Sequence, residues 1–122
     1  MPDFSMILRP VDGVHTRSSE ASAVVLKDGQ ILLAYTDSYG GRPIGGEDDD
    51  PACISAITSA DGGRTWADPY TLQPNDGGLN VMSVALLRLQ SGKVATAEEN
   101  RASAQEETGR LCGNTVIRWN HR

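Results

Sequence analysis

Residues 59–66, Ser-Ala-Asp-Gly-Gly-Arg-Thr-Trp, constrain the fold more than any other stretch of this 122-residue chain. Asp61 is placed to accept hydrogen bonds from backbone N–H groups two residues on, an Asx-type closure. Gly62 and Gly63 permit the positive φ that a tight hairpin requires. The hydroxyls of Ser59 and Thr65 can bond across the turn mouth. Trp66 opens the outgoing segment with a large apolar face and one N–H donor, suited to plugging the base of a hairpin. Pro69 keeps that segment extended. The sequence therefore predicts a hairpin turn here, with strands on both sides.

The flanking sequence agrees. Ala23-Val24-Val25-Leu26 and Ile31-Leu32-Leu33-Ala34-Tyr35 are apolar runs around a turn at Asp28-Gly29. They predict a hairpin, and their unbroken apolarity predicts burial on both faces. Residues 37–51 read as a polar loop ending in Glu47-Asp48-Asp49-Asp50-Pro51. Residues 52–58 predict a third strand and 67–73 a fourth. The pattern then restarts, with a loop at 74–78, a strand over 81–89, a turn at Gln90-Ser91-Gly92 and a further strand from Lys93. Gly29 and Gly92 lie 63 positions apart, a weak internal repeat somewhat longer than the roughly 40–50 residues of common propeller blades. Residues 95–109, rich in Ala, Glu and Gln, predict a marginal helix or a disordered segment. Residues 115–119 predict one last strand. The chain thus divides into an irregular segment (1–16), a strand-rich body (17–94) and a divergent C-terminal segment (95–122).

Composition removes several classes of function. A net charge of −5 disfavours sequence-independent nucleic-acid binding, which needs a basic face. There is no apolar run of about 18 residues to cross a membrane as a helix. The N-terminus lacks the basic-then-apolar pattern of a signal peptide, which favours a cytoplasmic location. The two cysteines, Cys53 and Cys112, are then better read as reduced thiols than as a bridge. His15 and His121 belong to no metal-binding or triad spacing, and both read as surface residues. No cofactor motif is present, so no cofactor and no metal are expected.

Ser59, Asp61, Gly63, Thr65 and Trp66 fill the pattern S-x-D-x-G-x-T-W. This is the Asp-box of the sialidase (neuraminidase) superfamily, also called the bacterial neuraminidase repeat. Together with "TRSSEASAVVLKDGQILLAYTD", "GEDDDPACIS" and "NVMSVALLRLQSGKV", it makes residues 16–94 resemble the N-terminal part of that superfamily. The resemblance implies an all-β fold, part of a six-bladed β-propeller, with one complete blade and part of a second. It implies glycosidase activity of exo-α-sialidase type, and a sialoside or related glycan as partner. The Asp-box itself marks a blade turn on the rim and is not specific for activity.

In that family an Asp acts as acid/base, three arginines clamp the substrate carboxylate, and a Tyr activated by a Glu is the nucleophile. A neutral Tyr avoids the repulsion that a carboxylate nucleophile would meet from the sialoside carboxylate. Arginine binds carboxylates bidentately. The resemblance places the acid/base in the acidic loop before the Asp-box. Asp48, 11 residues before Ser59, is the first candidate, with Asp49 and Asp50 beside it. Arg42 matches the arginine that precedes that Asp. Arg17 is an approximate match to the first clamp arginine, because the family's Arg-Ile-Pro is absent, and this departure leaves room for sugars other than sialic acid. Tyr35, Tyr39 and Tyr70 match none of the family's positions and read as packing or turn residues.

A single Asp-box and roughly two blades imply a truncated or partial propeller, inactive alone, whose missing blades or self-association would cover the open sheets. The alternative is a non-catalytic Asp-box propeller that binds glycan or protein.

Overall fold

The structure, a computed structural model, describes residues 4–40, 50–103 and 112–120. They form seven strands and two antiparallel sheets, with no helix among them. The first sheet has the order β1-β2-β3-β4, from His15–Val25, Ile31–Tyr39, Ala52–Ser59 and Tyr70–Gln73. The second has the order β5-β6-β7, from Asn80–Arg88, Val94–Ser103 and Cys112–Asn120. Each sheet is a meander of sequential neighbours, the arrangement of a propeller blade.

Strand alternation decides which face is core. Leu32 and Ala34 of β2 and Ile54 and Ala56 of β3 are fully buried. They pack with Leu26 against Val81 and Val84 of β5 and Val94 of β6. This single apolar layer joins the two sheets. Removing about 25 cal/mol per Å² of apolar surface from water makes it the main favourable contribution of the fold. The opposite face of the first sheet carries Tyr35, Asp37, Cys53, Ser55 and Ile57. The 4–14 segment reaches this sheet, where Arg9 Nε donates to the Tyr35 hydroxyl at 3.1 Å and Arg64 lies 5.4 Å over the Phe4 ring.

The structure corrects two sequence expectations. Burial on both faces holds for the central strand β2 but not for β1, an edge strand where Val25 is 53% exposed. The helix or disorder expected over residues 95–109 is overturned for 95–103 by β6, which pairs with β5 on one side and β7 on the other, while 104–109 lie outside the described residues. Ladder bonds and burial override a helix-leaning composition here. Glu98 and Arg101 of β6 are 2% and 1% exposed. Glu98 accepts from Arg118 of β7, and Arg118 also reaches Asp76 at 2.9 Å. Helix propensity scales cannot anticipate such pairs because their partners lie 20 and 42 positions away.

Candidate functional site

The 59–66 turn is built as a polar cage around one carboxylate. Asp61 Oδ1 accepts from the backbone N–H groups of Arg64 and Thr65 at 3.0 and 2.8 Å, and from Ser59 Oγ at 2.9 Å. Its Oδ2 accepts from Thr65 Oγ1 at 2.6 Å. The closure therefore runs three and four residues on, not two. Ser59 Oγ in turn accepts from the Gly63 N–H at 2.9 Å. Gly62 and Gly63 hold φ of 76° and 94°, where a side chain would be strained. Trp66 Nε1 donates to the Gly63 carbonyl at 2.9 Å, so the indole spans the turn as its sequence position suggests. The hydrogen bonds from Thr65, then from Ser59 and Arg64, lower Asp61 to a pKa of about 2. These bonds tie the carboxylate to both sides of the turn and hold it closed.

The opposite end of the first sheet has different chemistry. Here β1 begins, β2 ends and β3 begins, and the acidic loop connects the last two. Asp48, Asp49 and Arg42 lie outside the described residues. Asp50 is 4% exposed, and its carbonyl accepts from Asn80 Nδ2 of β5 at 3.0 Å. It ties the loop's end to the second sheet and is not presented to solvent. Arg17 stands in β1 opposite Ser38 and is half-buried.

At this end of the first sheet lies a hollow of about 500 Å³. Its polar lining centres on residues that the sequence reading leaves apart. His15 Nδ1 lies 2.8 Å from Asp37 Oδ1, and Ser55 Oγ donates to Asp37 Oδ2 at 2.7 Å. His15, expected to be an isolated surface residue, is instead the 39%-exposed partner of a carboxylate that is only 6% exposed. An ionised carboxylate can only accept, so Nδ1 carries the proton and Nε2 is the acceptor of the neutral ring. The arrangement is not a serine triad, because the Ser55 hydroxyl points at the carboxylate rather than at the imidazole.

The rest of the lining is flat and less polar. Tyr39 and Tyr70 line the hollow with Pro69 and Pro74. Tyr39 Oη accepts from Asn75 Nδ2 at 3.2 Å, which fixes both groups. Burial, and then the charge of Asp37, raise the Tyr35 phenol against the pull of Arg9. Burial likewise raises the Cys53 thiol, which is free and sits 3.7 Å from Ser55 Oγ. Such a thiol is protonated near neutral pH and a poor nucleophile.

No local motif could have found the His15–Asp37–Ser55 cluster, whose members are 22 and 18 positions apart. One signal was present. Asp37 follows an apolar run that reads as a buried strand, and a carboxylate carried into such a place must find partners. Among the described residues there is no group of three or more His, Cys, Asp or Glu side chains that could hold a metal ion.

No family model matches the chain, and a search of curated proteins finds no significant match. Among solved structures, the chain is similar to a mutant of the NanB sialidase from Streptococcus pneumoniae, with a TM-score of 0.60 and 15% sequence identity. The match covers 83% of this chain and 20% of that one. Identity this low speaks for the fold alone. The two sheets are therefore a partial sialidase-type propeller, one four-stranded blade and part of the next.

Proposed function

We propose that the chain is part of a sialidase-like glycoside hydrolase that cleaves terminal glycosidic bonds of a sialoside or related glycan. The observation that carries this reading is the fold likeness to a sialidase over 83% of the chain. The spelling of residues 59–66 as an Asp-box supports it, as does the acidic loop between β2 and β3. In this reading Asp48 is the acid/base, Arg42 and Arg17 contact substrate, and the hollow lined by His15, Tyr39 and Tyr70 accommodates part of the sugar. Flat tyrosine and proline surfaces beside a few fixed polar groups suit a small polyhydroxylated ligand.

The 122-residue chain on its own does not turn over substrate, because no Tyr–Glu pair in it matches the family's nucleophile. Incubation of the purified chain with fluorogenic sialosides tests this, and measurable hydrolysis would overturn it. Asp48 is tested in a complete relative that carries the same acidic loop. Replacing the matching Asp by Asn is expected to lower kcat by two orders of magnitude or more, the usual scale for a general acid/base. Unchanged hydrolysis would remove Asp48 from the mechanism and favour a non-catalytic propeller that binds glycan or protein.

A further inference from the structure

The two sheets repeat one plan at an interval of 63 positions. Gly29 and Gly92 turn their hairpins with φ of 89° and 91°. In the first turn the Leu26 N–H donates to the Gln30 carbonyl and the Gly29 N–H to that of Leu26. In the second, Leu89 and Gly92 donate in the same way to Lys93 and Leu89. The register agrees as well. Ser22, Ala23 and Val24 oppose Ala34, Leu33 and Leu32 in the first sheet, and Ala85, Leu86 and Leu87 oppose Ala97, Thr96 and Ala95 in the second. Even the breaks match, between Ser19 and Ser22 and between Met82 and Ala85. Each holds a non-glycine residue at positive φ, Glu20 at 55° and Ser83 at 61°.

Alternation along each strand then assigns the faces. The first sheet turns Val24, Leu32 and Ala34 toward the second. Their counterparts 63 positions on, Leu87, Ala95 and Ala97, point away from the first sheet, because their neighbours Leu86 and Val94 are the ones packed in the shared core. Conversely, Val84 and Leu86 of that core correspond to Ala21 and Ala23, which are exposed on the outward face of the first sheet. The contact inside the chain thus joins the front of one repeat to the back of the next. It leaves uncovered one more front, on the second sheet, and one more back, on the first.

Both are apolar. On the free front Leu87 is 62% exposed, and Ile117, opposite Ala97 in β7, is 63% exposed. The free back bears a hollow of about 330 Å³ walled by Ile7, Ala21, Leu33 and Tyr35. Among the described residues, every exposed large hydrophobic side chain is on one of these two faces or on the 4–14 segment that reaches the back. Such a concentration marks an interaction surface. The free front is shallower than the used one, with Ala95 where Leu32 stands, which leaves room for that segment. Charge agrees too: the front carries half-buried Glu99, the counterpart of Thr36, and the hollow on the back carries Arg9.

We infer that the chain associates with itself head to tail, the free front of one copy packing on the free back of another as the two sheets pack within the chain. A two-fold dimer would set front on front or back on back, pairings the chain nowhere uses. Identical head-to-tail steps close into a ring or run on as a filament. Propellers close at about four to eight sheets, so two sheets per copy give rings of about two to four copies. Nothing in this depends on which ligand the chain takes, so the sialoside assays and the test below fail independently.

Sedimentation velocity of the 122-residue chain at about 0.1 mM, where weak specific complexes are populated, tests the inference. The expected species are whole multiples of the chain mass. Leu87→Asp spoils only the front and Ala23→Asp only the back. Both positions are exposed, and amide spectra report whether the fold is kept. Where a variant does not fold, Ile117→Asp replaces the first and Ile7→Asp the second. Each variant alone should be monomeric, its association weakened about a hundredfold or more by an unpaired charge at an apolar contact. An equimolar mixture of the two should form a heterodimer and nothing larger, because one intact front and one intact back remain. A wild-type chain that stays monomeric would overturn the inference. So would a folded variant that still associates alone, the mark of a two-fold contact through its intact face or of a contact elsewhere, and so would a mixture that stays monomeric.

Discussion

Ser83 and Glu20 join the two sheets across a 2.8 Å hydrogen bond, and both hold left-handed backbone. The same edge carries a further polar tie, from the Leu86 N–H to Ser22 Oγ at 3.0 Å. The sheets are therefore registered by specific polar contacts as well as by the apolar layer between them.

The first prediction follows from the backbone at Ser83. At an ordinary strand position, glycine is less stable than alanine by roughly 0.5–1 kcal/mol. Both Ser83→Ala and Ser83→Gly delete the hydroxyl, but only glycine accepts a φ of 61° without strain. The order should invert, with Ser83→Gly the more stable of the two by about 1 kcal/mol. Urea unfolding of the two variants measures the difference, and the ordinary order would show that the backbone at 83 is not strained.

The second concerns acid. Hydrogen bonds from Thr65, Ser59 and Arg64 lower Asp61 to a pKa of about 2 in the folded chain, against a reference of 3.8. A carboxylate lowered by folding contributes stability that is present above the unfolded pKa and is lost as pH falls through the folded one. Thermal midpoints should thus decline between pH 4 and pH 2, with this contribution gone below that window. In Asp61→Asn, the part of the decline due to this group should be absent. An unchanged slope in the variant would contradict the cage described here.

The third concerns Asp37. Removing its carboxylate leaves the Ser55 hydroxyl, on a residue 4% exposed, without its acceptor. Asp37→Ala should destabilise the chain by roughly 1–3 kcal/mol. Asp37→Asn, which keeps an acceptor, should cost less. The carboxylate also sets the imidazole tautomer. Long-range ¹⁵N spectra of His15 should show a protonated Nδ1 in the neutral ring of the wild type, and a shift of population toward the Nε2-protonated form in Asp37→Asn.

The fourth concerns Gly77, in the loop that joins the sheets. A Cβ there would lie 2.4 Å from the Asn80 carbonyl oxygen and 2.9 Å from that of Arg101. Backbone atoms cannot step aside as a side-chain end can, so Gly77→Ala should cost on the order of 2 kcal/mol or more, by overpacking. Chemical denaturation gives the value, and a change below about 0.5 kcal/mol would show that the loop moves freely.

Much of this protein is written locally in its sequence. The turn at 59–66 is legible because its carboxylate, glycines, hydroxyls and indole are all within eight residues, so offsets alone fix who can bond to whom. The hairpin at Asp28-Gly29 and the restart of the pattern after residue 74 are legible for the same reason, and so is the all-β class. Tertiary structure decided what depends on distant partners. Residues 94–103 became a strand because β5 and β7 supply ladders on both sides, against the segment's own propensity. His15, Asp37 and Ser55 became one cluster because the pairing of β1 with β2 and of β2 with β3 brings three strand ends together. Glu20 and Ser83 became partners because two sheets with matching bulges stack edge by edge. A single sequence records what each residue can offer; only the packed chain selects which offers meet, because hydrogen bonds act over about 3 Å and register is set by the whole sheet.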